Sequence, residues 1–479
     1  MGSHWTSACA VLLVVLGLGA CAPGQGQPTP VERSPTQVFE AAKPAVAIVE
    51  TALGVTWSVP QPDIDQSKQT QLQNRLLAMI RSGALAPTQE ALRRASVQLI
   101  TDDPGGWFSL TGQRYQHTDT VYVMGSGFFV SQDGYLLTNA HVLTASPDEV
   151  RRLLVSGVTK GTAEQAFVQS VRDEVSKGFE TDVSDAQAQK LASWLAEVYA
   201  SGLQVASITP SYRVAVGSHS AKEVEAQGMP AKVVVSGQPI PGKDVALLKT
   251  DGGPFVTLPL STEVPKQGAH LDVVGYPCGC TGQEDADPGR QVVATLTQGS
   301  VQGELAMSSG WRATGTDAKM EHGNSGGPAL DSYGRVVGLA TFQDTVEARG
   351  SSRTYNFVLP IEVANEFIRQ AHVKAAQGPL GRQYSQAVSD FSAEHYRAAL
   401  PLFQEVARAD ARNPYAGEYV VRSRAAIAAG RDRTPPPTPG YLQWLLDYGY
   451  LPVFGLWGLV AVGTGAVVGI RRRRRFPST

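Results

Sequence analysis

The stretch EHGNSGGPALDSYGRVVGLAT, residues 321–341, narrows what this chain can fold into more than any other, through its GNSGGP core. A serine hydroxyl is nearly unreactive at neutral pH. A nucleophilic serine therefore sits on a tight exposed turn beside a base, with backbone N–H groups aimed at the oxyanion that forms. Gly323 and Gly326 flank Ser325 and let the backbone approach a carbonyl with no Cβ in the way. From Pro328 onward the pattern reads as a strand, a Ser-Tyr-Gly turn and a second strand, which is a β-hairpin. Ser325 is thus expected as a nucleophile on a loop between strands. A serine elbow leading from strand into helix is disfavoured.

Eight histidines are available as the base, and context selects His141. In GSGFFVSQDGYLLTNAHVL, residues 125–130 read as one strand, Asp133-Gly134 as a hairpin turn and residues 135–139 as the next strand. His141 follows in a short Ala-His-Val turn, where its imidazole can be presented at a barrel rim. His322 is the rival, but a side chain three residues from Ser325 on the same short loop rarely reaches its neighbour's hydroxyl in line. The third role, a carboxylate that holds the imidazole tautomer and stabilises the imidazolium, falls to Asp244, which opens the apolar strand in KDVALLKT. Asp133 belongs to a turn. Asp272 lies inside a strand over 271–274, where a structural role is expected.

The order His141, Asp244, Ser325 is that of chymotrypsin-like peptidases, not of subtilisins or α/β-hydrolases. Together with TYNFVLPIEVANEFI, the segments around these residues resemble the HtrA-type branch of the trypsin-like serine proteases. Asn324 is part of the likeness. The secreted digestive branch usually has Asp there, to pair with a new amino terminus after zymogen cleavage, so another route of activation is implied. The resemblance implies a mainly β fold of two six-stranded β-barrels, chymotrypsin-like, with the triad in the cleft between them. It also implies amide hydrolysis of polypeptide substrates through an acyl-enzyme, and a role in quality control of envelope proteins. The oxyanion hole would come from the N–H groups of Gly323 and Ser325, and a strand over Leu339, Ala340, Thr341 and Phe342 would pair with substrate backbone. No cofactor or metal is expected.

Hydrophobic content of 42% and charged content of 18% describe a globular chain, and 41 basic against 43 acidic residues give no global field for nucleic acid. Nucleic-acid binding is set aside. Residues 1–22 read as a signal peptide with an apolar core over 8–22. Leu18-Gly19-Ala20-Cys21 resembles a lipobox that would lipidate Cys21, while Ala20-Cys21-Ala22 also fits an ordinary cleavage site; both readings stay open. Residues 449–470 are uncharged for 22 residues, about 33 Å of helix, and precede five consecutive arginines. They are expected to form a transmembrane helix with a basic cytoplasmic tail at 471–479, placing the catalytic domain outside the cytoplasm as a single-pass protein of the cell membrane. Cys278 and Cys280 in GYPCGCTG lack the partners a metal site needs, and a bridge between residues two apart would be strained. They are expected as a loop pair, bonded or free, without catalytic duty.

After a linker at 23–36, the protease domain is expected over 37–375, with helical insertions near 65–100 and 145–206. In the second, Phe167, Val168, Val171, Val175 and Phe179 recur on one helical face. After Ser184, an N-cap candidate, Leu191, Trp194, Leu195, Val198 and Tyr199 repeat it. These read as a helical hairpin on the first barrel, serving either as decoration or as a lid over the cleft. Where an HtrA-type chain would continue into a PDZ domain, residues 380–431 read instead as a small tetratricopeptide-like helical unit. Such a unit cannot bury its own face well, so docking on the protease, on a second copy or on a partner, and a plain spacer, all remain open. A Pro-rich tether follows at 432–448. The competing functional reading is a catalytically quiet binding module; the complete set of three candidate side chains argues against it. An esterase on the same scaffold has no supporting feature.

Overall fold

A computed structural model of the protein describes residues 31–159, 161–277, 291–348 and 351–436. Twelve strands form two closed barrels. The first comprises β1 (Val46–Asp63), β2 (Ser109–Phe129), β3 (Tyr135–Thr138), β4 (Gln204–Ala215), β5 (Met229–Ser236) and β6 (Ala246–Thr250), in the order β1-β2-β3-β6-β5-β4. The second comprises β7 (His270–Gly275), β8 (Thr295–Ala306), β9 (Arg312–Thr316), β10 (Pro328–Leu330), β11 (Val336–Ala348) and β12 (Ser351–Pro360), in the order β10-β11-β12-β9-β8-β7. Two six-stranded barrels fit the chymotrypsin-like expectation.

Strand alternation sorts the apolar residues between two kinds of core. Ala47, Val49, Phe129, Leu136 and Leu248 fill the first barrel with Phe255, whose ring stacks on Phe129 at 4.2 Å. Leu271, Val273, Val301, Val337 and Val358 fill the second. Their strand neighbours Ile48, Phe128, Leu137, Leu247, Val274, Leu339 and Leu359 face the other way and build one continuous core that joins the barrels. That core seats the loops carrying the candidate site.

Thirteen α-helices are described. α1 (Pro35–Ala42) precedes β1; α2 (Gln66–Arg81), α3 (Gln89–Asp102) and α4 (Pro104–Trp107) interrupt β1 and β2; α5 (Ala140–Leu143) follows β3. α6 (Pro147–Thr159), α7 (Gly161–Phe179) and α8 (Asp185–Gly202) fill the second insertion, and α9 (Ala221–Gln227) and α10 (Ile361–Gln370) brace the barrels. The two insertions, far apart in sequence, make a single lobe. Val97 of α3 packs among Val168, Val171, Ala188, Leu191 and Ala192 of α7 and α8, because each amphipathic face needs a partner to leave water. Ser184 caps α8 through a reciprocal pair with Gln187. The lobe rides on an extended ribbon: β1 pairs with β2 from Val46↔Phe128 to Asp63↔Ser109 and with β4 as far as Ser58↔Gln204.

The last three helices, α11 (Pro379–Ser392), α12 (Tyr396–Ala409) and α13 (Pro414–Ala428), dock on this chain itself. Tyr384, Phe403 and Tyr419 enter the same core as Val38 and Ala42 of α1. Phe403 stacks on Tyr419 at 4.7 Å, the Tyr419 hydroxyl donates to Glu40 at 2.6 Å, and Asn413 Nδ2 donates to the buried Pro44 carbonyl at 2.8 Å. The open question of where this face is buried is answered by α1.

One expectation is corrected. The described fold is two barrels with helical additions, and among the described residues no helix is long and apolar enough to cross a membrane, so the expected transmembrane helix and single-pass placement in the cell membrane are not supported. The longest helices explain the physics: α7 carries Glu164, Arg172, Asp173, Glu174 and Lys177, and α8 carries Asp185, Lys190 and Glu197, charges that belong in water. Residues 449–470 and 471–479, the signal segment with Cys21, and Cys278 and Cys280 lie outside the described residues.

Candidate active site

Three loops from both barrels meet at one place. His141 lies in α5, directly after β3; Asp244 lies two residues before β6; Ser325 lies on the turn before β10. β3 and β6 are paired from Tyr135↔Lys249 to Thr138↔Ala246, so the sheet brings the His141 and Asp244 loops side by side. Asn139 Nδ2 donates to the Asp244 carbonyl at 2.7 Å and fixes that approach.

Asp244 is fully buried. Its Oδ2 lies 2.6 Å from His141 Nδ1, and its Oδ1 accepts the His141 backbone N–H at 2.9 Å. A third donor comes from the second barrel: Thr341 Oγ1 donates to Oδ2 at 2.8 Å. A buried carboxylate needs such donors, because leaving it unpaired in a low dielectric is costly. The contact at Nδ1 holds the tautomer that leaves Nε2 as the free acceptor. Thr341 also reaches the other way, since its carbonyl accepts the Ser325 hydroxyl at 3.0 Å. Ser325 thus rests on Thr341, and no hydrogen bond joins it to His141 among the described residues.

The turn around Ser325 is fixed by its neighbours. Gly323 (φ 100°) and Gly326 (φ 85°) both occupy the left-handed region. A Cβ on Gly326 would meet the Ser126 carbonyl at 2.2 Å and Thr138 Oγ1 at 2.4 Å, so the first barrel touches the turn directly. Among the described residues neither the Gly323 nor the Ser325 N–H has a backbone acceptor. The Gly326 N–H donates to the Ala340 carbonyl, and the Ala340 N–H to the Gly327 carbonyl. Leu339 and Ala340 are also paired with Leu359 and Val358 of β12, whereas the ladder breaks between Ala340 and Gln343. Thr341 and Phe342 occupy that break.

The rival candidates sit elsewhere in the network. Exposed His322 is beside His141, and partial burial, with the neighbouring His141 charge second, holds its pKa below the ordinary imidazole value. Asp272 is buried on β7, with Oδ1 2.9 Å from His270 Nε2; burial raises its pKa, against the pull of His270. Asp133 lies in the turn between β2 and β3. Neither Ser126, a fully buried serine on β2 that touches the turn, nor the Thr341 hydroxyl's grip on Asp244 was marked by any local pattern. Isolated hydroxyls carry no periodic signal.

Residues 125–339 match the family model described as a trypsin-like peptidase domain. That stretch is similar to trypsin-like peptidases. Curated proteins that it matches bear protease names. The protein named "Protease Do-like 5, chloroplastic" of Arabidopsis thaliana is 34% identical over 131 residues, 26% of this chain and 37% of its own length. "Serine endoprotease DegS" of Haemophilus influenzae is 35% identical over 77 residues, 16% of this chain and 22% of its own. "Probable periplasmic serine endoprotease DegP-like" of Pseudomonas fluorescens is 24% identical over 377 residues, 78% of this chain and 56% of its own. The chain therefore spans less than two thirds of each of these relatives.

Proposed function

We propose that this chain is a serine endopeptidase that cleaves protein substrates through an acyl-enzyme on Ser325. The observation that carries this reading is the position of Asp244, buried between His141 and Thr341, with Thr341 in turn holding the Ser325 hydroxyl. His141 is the general base, and Asp244 orients it and stabilises the imidazolium.

In this reading Ser325 turns about χ1 from the Thr341 carbonyl towards His141 Nε2. The proton passes to Nε2 as Oγ attacks the peptide carbonyl. The N–H groups of Gly323 and Ser325, which have no backbone acceptor among the described residues, take the oxyanion. His141 then protonates the leaving amine, and water repeats the cycle on the ester. Of the strand Leu339, Ala340, Thr341 and Phe342, the last two lie where the ladder is interrupted; we assign substrate pairing to them, with Leu339 and Ala340 as their support.

Protein quality control is the role proposed with this activity, as the resemblance implies. The test is hydrolysis of labelled casein, with fluorophosphonate labelling of Ser325. Casein cleavage that survives in full in the Ser325→Ala protein would remove the assignment. Comparison of new protein N-termini in cells carrying wild-type or Ser325→Ala protein tests the role.

A further inference from the structure

The hydroxyl of Ser126 has no part in proton transfer, yet it occupies the floor of the site. It is fully buried and donates to the Gly323 carbonyl at 2.6 Å. It accepts the Tyr276 N–H at 2.8 Å, so its single proton is committed to Gly323. The Ser126 backbone N–H donates to the Ser325 carbonyl at 2.8 Å. One residue of the first barrel therefore holds the carbonyls on both sides of Asn324, whose own N–H is held by the Glu321 carbonyl at 3.0 Å.

We infer that Ser126 is a positioning residue for oxyanion stabilisation. The inference rests on the reading of Gly323 and Ser325 as the oxyanion donors. Gly323 is conformationally permissive, so the peptide on its carbonyl side can rotate unless something holds it. The Ser126 hydroxyl supplies that hold from a rigid strand, and pre-set donors are what make an oxyanion hole effective. Without it, that peptide is held only through the Asn324 N–H on the Glu321 carbonyl, and the N–H groups of Gly323 and Ser325 converge less well. Tyr276, which orients the Ser126 hydroxyl, is itself braced: its side-chain oxygen accepts the Gly217 N–H at 3.2 Å and donates to the Val46 carbonyl at 3.3 Å.

The experiment compares the full chain with Ser126→Ala, Ser126→Cys and Phe403→Leu, using a fluorogenic peptide taken from a casein cleavage site and a peptide boronate of the same sequence. Ser126→Ala is expected to lower kcat by about tenfold to a hundredfold, less than the loss of a whole oxyanion donor, with KM changed less than twofold. Boronate affinity should fall by the same factor as kcat/KM. Ser126→Cys, which keeps the shape and a weak S–H donor, should lie between the two. Phe403→Leu loosens the same continuous core far from Ser126 and Gly323 and should keep kcat near wild type. An unchanged kcat in Ser126→Ala overturns the inference, as does an equal loss in Phe403→Leu at matched Tm. If Ser126→Ala fails to fold, Ser126→Cys decides by the same criteria. Failure of the underlying reading looks different: the Ser325→Ala protein would then cleave the peptide as well as wild type.

Discussion

The Ser325 hydroxyl donates to the carbonyl of Thr341 at 3.0 Å, and the hydroxyl of the same Thr341 donates to Asp244 Oδ2 at 2.8 Å. One threonine of the second barrel thus links the proposed nucleophile to the carboxylate of the first. The three candidate side chains form a unit through it, and units respond non-additively to substitution. Ser325→Ala should abolish casein cleavage, and Asp244→Asn should lower kcat by roughly 10³–10⁴-fold through the wrong imidazole tautomer. The Ser325→Ala/Asp244→Asn protein should be no worse than Ser325→Ala alone. Steady-state rates of the three proteins settle the matter; a double variant that multiplies the two losses argues against a shared mechanism.

Thr341→Val keeps the carbonyl that holds Ser325 and removes the donor to Asp244. A hydrogen bond to a charged group contributes about 1.5–3 kcal/mol, so the variant should lose stability of that order together with about tenfold in kcat. Urea denaturation and peptide hydrolysis measure the two effects separately. Wild-type values in both would show that Asp244 does not depend on this hydroxyl.

Glu50 of β1 is fully buried, and neither carboxylate oxygen has a hydrogen-bond partner among the described residues. Burial, with the Glu225 charge second and opposed by Arg213, raises its pKa from 4.5 to about 7. Between these values the folded chain keeps a proton that the unfolded chain releases, so stability falls as pH rises from about 4.5 to about 7 and levels off above that. Glu50→Gln, neutral at every pH, should raise Tm at pH 8 more than at pH 5. Parallel Tm curves for the two proteins across that range would exclude Glu50 as the source of the dependence.

Phe403 is fully buried in the core that α12 shares with α1 and the barrels. Phe403→Ala should cost about 3–5 kcal/mol, and because the core is continuous, calorimetry should show one transition moving down. A separate low-temperature transition, with the barrels unaffected, would show that α11–α13 fold as an independent unit.

Much of the site could be read locally. The GNSGGP turn, the Asp133-Gly134 hairpin and the apolar strand behind Asp244 are signals within a few residues of each candidate side chain, and turn chemistry and strand alternation are local properties. The lobe was legible only in pieces: the periodic faces of α7 and α8 were visible, but their packing on Val97 was not, since an amphipathic stripe announces burial without naming its partner. The same limit held for the tetratricopeptide-like face, which found α1. Hydropathy and flanking charge placed a membrane helix at 449–470, outside the described residues, whereas the helices that are described are amphipathic and pack on protein.

The residue types that the chemistry needs, their order along the chain and the turns and strands that carry them are all written in the local sequence, because they depend on backbone preference and on the period of side-chain alternation. Which hydroxyls serve them follows from the closed fold. Ser126 and Thr341 reach Gly323 and Asp244 across the contact between two barrels, and a hydrogen bond between residues 197 or 97 positions apart exists only once both barrels have closed and brought their loops together.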